Sequence, residues 1–363
     1  MRSSAGRVIA AVAAVAVVLP VPAGSVAAHG GGGSDATNYR TEVLEPGDVR
    51  LSWRVYGGDA LVELTNHTGG EVIVAGYRAE PYLRFIPGDG VFENTRSPAA
   101  YLNDDRLANV DVPADADPAA LPRWERVADG ATFAWHDHRA HWMAPTDPPA
   151  VAGDRDVEHL IDEWAIPLTV HSGDQARQLE ARGELWWIPS VSPWPVLGAV
   201  GWGFAAVLAA AVLATRPTGD RWPGLGRTVT LLVGLVAAAN VVRTVDDLVA
   251  VPAAVGTQLV VGAAAVVGLA VITGLAWRGW RGDAAGFFCL AAAGVLTMLL
   301  FGAESTSQLT ASQLATVLPT WVRRVTVAAS WMIVMPTLLA AGLAAYRHSK
   351  DRKDQQPVTA TVS

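Results

Sequence analysis

Residues 135 to 143 read Trp135-His136-Asp137-His138-Arg139-Ala140-His141-Trp142-Met143, so three of the eight histidines in the 363-residue chain fall within six positions. Neutral imidazole is a ligand for copper and zinc alike, and Met143 adds a soft sulfur nearby. If the run extends the stretch Ala131-Thr132-Phe133-Ala134, side chains alternate between faces, and His136 and His138 point the same way, as two ligands of one ion must. On that alternation His141 faces away and joins them only if the chain turns after Arg139. Asp137 points oppositely, where it pairs with Arg139 or orients a ligand. The same residues also allow an arrangement with no ligand: His136, Asp137, His138 and Arg139 as a buried polar network between Trp135 and Trp142, against Glu80 and Arg84. Geometry separates the two. Ring nitrogens converging within about 4 Å around an open position indicate a metal, and a carboxylate partner on every ring nitrogen indicates a network. His67, His159 and His171 are scattered and read as lone surface or core histidines.

The elements that carry this segment follow from composition. Residues 1–28 have a basic start (Arg2, Arg7), an apolar run from Val8 to Leu19 and small residues ending at Ala27-Ala28, the pattern of a secretory signal peptide. Cleavage after Ala28 makes His29 a new amino terminus, able to bind metal through amine and ring; cleavage after Ala27 does not. From Trp194 the chain turns to Ala, Val, Leu and Gly, with spans expected at 194–214, 225–242, 252–275, 285–303 and 325–345. Five spans after an exported region put the carboxyl terminus inside. The arginines and lysines agree: Arg216, Arg221, Arg227, Arg278, Arg281, Arg347, Lys350, Arg352 and Lys353 fall on inside segments, against Arg243, Arg323 and Arg324 outside. The expected location is therefore the plasma membrane, multi-pass, with the amino-terminal domain outside.

Residues 29–193 form the expected extracytoplasmic domain. They hold 27 acidic and 13 basic residues, a formal charge of −14, which does not suit nucleic acid. Short segments rich in Val, Leu, Trp and Tyr, at 49–56, 60–65, 71–75, 163–170 and 181–189, alternate with turn signals such as Gly57-Gly58-Asp59 and Asn66-His67-Thr68-Gly69-Gly70. That rhythm predicts an all-β antiparallel sandwich or barrel. Residues 80–103 read as an ordered loop and Asp111 to Pro122 as an exposed excursion, while Trp186, Trp187 and Trp194 read as interfacial anchors. The single cysteine, Cys289, lies in the fourth span, so internal disulfides and cysteine-based zinc sites are excluded. The five-span domain is assigned to 194–346, and residues 347–363 to a basic, disordered inside tail. Charged residues sit near span ends, and a rim of Arg243, Asp246, Asp247, Glu304, Arg323 and Arg324 under the outer domain is expected to pair internally. There is no nucleotide-binding loop, nucleophile elbow or metalloprotease motif, which points away from an enzyme.

A terminal histidine, a downstream His-x-His and an exported β-domain on a helical bundle resemble bacterial copper-handling proteins. One comparison is the copper-resistance CopC/CopD type; another is the B subunit of particulate methane and ammonia monooxygenases, from which His29, His136 and His138 carry over. The segments Glu80-Pro81-Tyr82-Leu83-Arg84 and His136 to Met143 look more like an actinobacterial membrane family with an exported β-domain, consistent with the scarcity of lysine. These resemblances imply a cupredoxin- or immunoglobulin-like sandwich before the bundle. They also imply copper binding or delivery, zinc being the alternative metal, through His136, His138, His141 and His29, supported by Asp137, Arg139, Met143 and Glu80. The implied partners are the lipid bilayer and metal-donor or metal-acceptor membrane proteins. Two other functions remain: a non-catalytic assembly or sensing protein whose histidine segment is a structural network, and a subunit of a membrane oxidase.

Overall fold

The computed structural model describes residues 36–252 and 255–354; the expected signal peptide and His29 lie outside the described residues. Ten strands come first: β1 Tyr39–Glu45, β2 Leu51–Tyr56, β3 Leu61–Asn66, β4 Glu71–Ala75, β5 Pro81–Ile86, β6 Gly90–Asn94, β7 Trp124–Ala128, β8 Thr132–Trp135, β9 His159–Ser172 and β10 Gln175–Trp187. They form a seven-stranded sheet in the order β1-β10-β9-β4-β5-β6-β7 and a three-stranded sheet β2-β3-β8. All the ladders are antiparallel. Alternation builds the core. Val62 and Leu64 of β3, Val72 and Val74 of β4, Ile166, Leu168 and Val170 of β9 and Leu185 and Trp187 of β10 turn inward into one cluster fed by both sheets.

The stretch 80–103, expected as loop, holds β5, β6 and the short helix α1 Ala99–Leu102. Its alternation is masked because a bulge at Ala75 opposite Pro81 leaves adjacent Tyr82 and Leu83 both buried. Trp187, expected as an anchor, is a core residue edge-on to Tyr39. The excursion at 111–122 is exposed, as expected.

Five helical segments are long and apolar enough to cross a membrane, at 194–214, 223–250, 259–279, 284–309 and 320–350. They are built from α3 Trp194–Ala214, α4 Pro223–Ala250, α5 Val255–Gly279, α6 Ala284–Thr297, α7 Thr320–Met332 and α8 Val334–Asp354; a smaller helix, residues Pro149–Gly153, precedes them and is α2 in chain order. α4 runs through the bundle interior, burying Leu225, Val229, Val233, Val236 and Asn240. After α6 the helix widens into a π turn at Met298–Gly302 and tightens into a 3₁₀ segment at Ala303–Leu309. α7 and α8 are split at Ile333 because Pro336 has no N–H to offer the Met332 carbonyl. α8 continues to Asp354, so the tail expected to be disordered from residue 347 begins as helix; Arg347, Lys350, Arg352 and Lys353 are good helix formers.

The two parts meet through the segment before α7. Thr37 and Gln313 exchange backbone hydrogen bonds of 3.1 and 2.9 Å. Ser312 N–H donates to Asn38 Oδ1 at 2.8 Å, and its hydroxyl donates to the Ile188 carbonyl at 3.1 Å. Half of the expected rim pairs internally, through Arg323, Asp246 and Asp247, while Arg243 donates to Ser305 and Arg324 to the Ala311 carbonyl. Buried Arg323 donates to Asp246 at 2.6 Å, to Asp247 and to the Ala315 carbonyl. Asp246 also accepts from Thr316 Oγ1 and Val317 N–H, which ties the connecting segment to α4.

Candidate metal centre

The β8 ladder ends at Trp135, so the histidines lie just past the strand rather than along it. Asp137 remains extended and its carboxylate accepts from Arg139 N–H at 3.1 Å, which caps a 3₁₀ turn at His138–Ala140. This is the turn that a three-histidine grouping requires. It brings His141 back so that its ring centroid is 4.6 Å from that of His136, closer than His138 at 5.1 Å. Two imidazoles bound to one ion at about 2.0–2.1 Å with a tetrahedral angle between them hold their centroids about 5 Å apart, close to both spacings.

Each ring is fixed by one nitrogen. His136 Nδ1 is 2.6 Å from the Ala60 carbonyl, His138 Nε2 2.8 Å from the Asp105 carbonyl, and His141 Nδ1 2.7 Å from Asp59 Oδ2. A carbonyl or carboxylate oxygen only accepts, so each of those nitrogens carries the proton. In the neutral rings the lone pairs then lie on Nε2 of His136, Nε2 of His141 and Nδ1 of His138. The Nε2 atoms of His136 and His141 are buried without a hydrogen-bond partner. Burial, then the adjacent His141 ring, pushes the His136 imidazolium down to about 4, so this ring is neutral at physiological pH. Burial also lowers His138. His138 lies parallel to Tyr77, 9° between planes and 5.8 Å between centroids, and Tyr77 hydroxyl accepts from His138 N–H.

The carboxylate that orients a histidine is Asp59, not Asp137. Asp59 and His141 side chains are fully buried, and Arg106 from the 103–123 loop donates to both Asp59 oxygens, at 3.2 and 2.9 Å. Asp137 instead accepts from Trp135 Nε1 at 2.8 Å and from Arg139 Nε and Nη2 at 2.8 and 2.7 Å. That part of the segment is the self-contained polar network, with Arg139 over the Tyr77 ring. Glu80 and Arg84 lie outside it: Glu80 accepts from Ser97 Oγ and Arg78 N–H, and Arg84 donates to Glu71. Met143 is half-buried, two residues past His141. His159 bonds the Asp154 carbonyl, and His171 sits in the β9 ladder opposite Glu71 and Ala176, both away from the cluster. Sequence reasoning missed Asp59, Ala60, Asp105 and Arg106. The Gly57-Gly58-Asp59 signal marks a turn and nothing more.

Among the described residues, no group of three or more histidine, cysteine, aspartate or glutamate side chains is arranged to hold a metal ion. What the geometry offers is two sealed, lone-pair-bearing imidazole nitrogens with oriented rings, flanked by a third histidine. Compared with protein-family models, curated proteins and solved structures, the chain has no match.

Proposed function

We propose that the protein is a membrane-anchored extracytoplasmic copper-binding protein, taking up or delivering copper through its β domain. One observation carries this reading. The Nε2 atoms of His136 and His141 are buried with no partner, while Nδ1 of each is held by an oxygen acceptor. A buried nitrogen left unpaired costs about 1–3 kcal/mol, and a bound ion removes that cost at both rings at once. The acceptor on Nδ1 is the usual device that fixes a metal-ligating histidine, and a carboxylate there raises the ligand's basicity. His136 and His141 are the primary ligands in this reading, His138 a flanking donor, and His29 a further donor if export exposes it. Zinc is the alternative metal.

In the same reading the two sheets are the faces of a cupredoxin- or immunoglobulin-like sandwich outside the plasma membrane, the five helices span it, and α8 ends inside. The partners are a donor or acceptor of the metal in the same membrane. The second reading, a non-catalytic assembly or sensing protein, is favoured by Asp137, whose bonds to Trp135 and Arg139 need no ligand. Metal analysis of the full-length protein in detergent micelles, beside a His136→Ala/His141→Ala variant, separates the two. One equivalent of copper in the wild type and none in a folded variant supports copper handling. A metal-free wild type after copper exposure leaves the structural network.

A further inference from the structure

We infer that the end of the helical bundle away from the β domain binds the phosphate of an acidic phospholipid headgroup, through Arg227, Arg281 and Arg347. The inference rests on the five helices crossing a bilayer and is independent of any metal. Charge is distributed unevenly along the bundle. Residues 215–227, 278–283 and 346–350, which make the far end, hold seven basic side chains against two acidic ones. Further along α8, Arg352 and Lys353 are offset by Asp351 and Asp354. The end beside the β domain is balanced, with Arg243, Arg323 and Arg324 against Asp246, Asp247 and Glu304.

The far end is packed into one surface. Trp222 N–H donates to the Gly282 carbonyl at 2.8 Å, which brings the turn between α5 and α6 against the start of α4. Gly226 lies so close to that turn that an added Cβ would sit 2.4 Å from the Gly279 carbonyl. Arg347 of α8 lies over the buried Trp222 ring, 4.3 Å from its centroid, and Arg227 of α4 lies over the Trp280 ring at 5.7 Å. Arg281 is exposed in the same turn as Trp280. A ring beneath a guanidinium covers one face and leaves the N–H edge open, the geometry that takes a phosphate through parallel hydrogen bonds.

Among the described residues, none of these three arginines donates a hydrogen bond or pairs with a carboxylate. Asp283 is engaged by Arg278 at 3.7 Å and by Gly286 N–H at 2.7 Å, and Asp220 is exposed on the turn before α4. A basic surface short of carboxylates at headgroup depth attracts acidic lipid, each arginine adding its share. Trp280 stacks on exposed Trp277, and indoles settle at the membrane–water boundary. Leu259, Val266 and Trp277 are exposed on one face of α5 at whole-turn spacing, which gives acyl chains a surface leading up to the arginines. That face favours a lipid over free phosphate.

The test is native mass spectrometry of full-length protein in detergent micelles holding equimolar phosphatidylglycerol and phosphatidylcholine. Wild type is compared with Arg227→Gln/Arg281→Gln/Arg347→Gln and with Lys350→Gln/Arg352→Gln/Lys353→Gln, which removes the same charge from the end of α8. Wild type is expected to retain phosphatidylglycerol over phosphatidylcholine by about tenfold or more, the first variant to lose that preference and the second to keep most of it. Equal retention of the two lipids by wild type, a preference that survives in a folded first variant, or an equal loss in both variants overturns the site. If the first variant does not fold, Arg347→Lys decides, since it keeps the charge and loses the planar fork. A preference reduced about threefold or more in Arg347→Lys supports the site, and an unchanged one overturns it. Displacement of the lipid by inorganic phosphate assigns the arginines to free phosphate and overturns the lipid. Release of wild type from membranes by alkaline carbonate overturns the membrane reading and the proposal with it.

Discussion

Asp59 Oδ2 lies 2.7 Å from His141 Nδ1, joining two fully buried side chains 82 residues apart, while Nε2 of the same ring has no partner. The strand pair β2–β3 presents the turn that holds Asp59, and the 3₁₀ turn after β8 returns His141 to it. Asp59→Asn removes the charge that orients the ring and anchors Arg106. Metal affinity is predicted to fall about 10–100-fold, measured by competition with a chromophoric chelator. An affinity equal to wild type, in a folded protein, contradicts a supporting role for Asp59.

Gly58 stands at the junction of site and bundle. Its φ is +82°, and a Cβ there would lie 2.4 Å from the Tyr39 carbonyl and 2.8 Å from Gln313 Cβ. Gly58→Ala is predicted to destabilise by roughly 1–3 kcal/mol, through left-handed strain and a backbone clash. Thermal unfolding in detergent gives the number; a melting temperature equal to wild type rules out this close approach.

Glu93 on β6 is pushed up to about 7, chiefly by burial and then by Asp104, with a hydrogen bond from Tyr82 opposing. A carboxyl whose folded value is raised contributes stability below its unfolded value of 4.5, and that contribution is lost as pH rises through 7. Glu93→Gln is predicted to stabilise the protein at pH 8, on the order of 2 kcal/mol, and to flatten the decline between pH 5 and about 7.5. Parallel stability curves for the two proteins across this range would refute the account of Glu93.

Arg323 is buried with Asp246, and also pairs with half-exposed Asp247, at the end of the bundle nearest the β domain. Arg323→Met leaves Asp246 buried without its cation, and a loss of about 3–5 kcal/mol is expected. The double variant Arg323→Met/Asp246→Leu is expected to recover much of it, which unfolding of detergent-solubilised protein can measure. A single variant as stable as wild type contradicts the buried pairing.

The five apolar helices and strands such as β4 and β9 are legible in the sequence because apolar run length and strict alternation are local properties of consecutive residues. β5 and β6 are not, since Tyr82 and Leu83 are both buried beside a bulge and break the two-residue period. The histidine cluster is legible as composition, and the need for a turn after Arg139 follows from alternation alone. Which two rings pair is not, because the choice of His141 over His138 is made by Asp59, Ala60 and Asp105, residues distant in sequence whose own neighbourhoods read only as turn and loop. Asp137 looked like the supporting carboxylate through proximity, yet Trp135 and Arg139 occupy its oxygens.

The central claim is that His136 and His141 hold one ion between them, and single-site metal stoichiometry tests it most directly. Full-length protein, produced by native export and loaded with copper(I) under reducing conditions, is compared with His136→Ala, His141→Ala and His138→Ala. The account predicts one copper per wild-type chain, loss of that copper in His136→Ala and in His141→Ala with the fold retained, and a smaller weakening in His138→Ala. A wild type that binds no copper, or folded His136→Ala and His141→Ala proteins that still bind one, contradicts it.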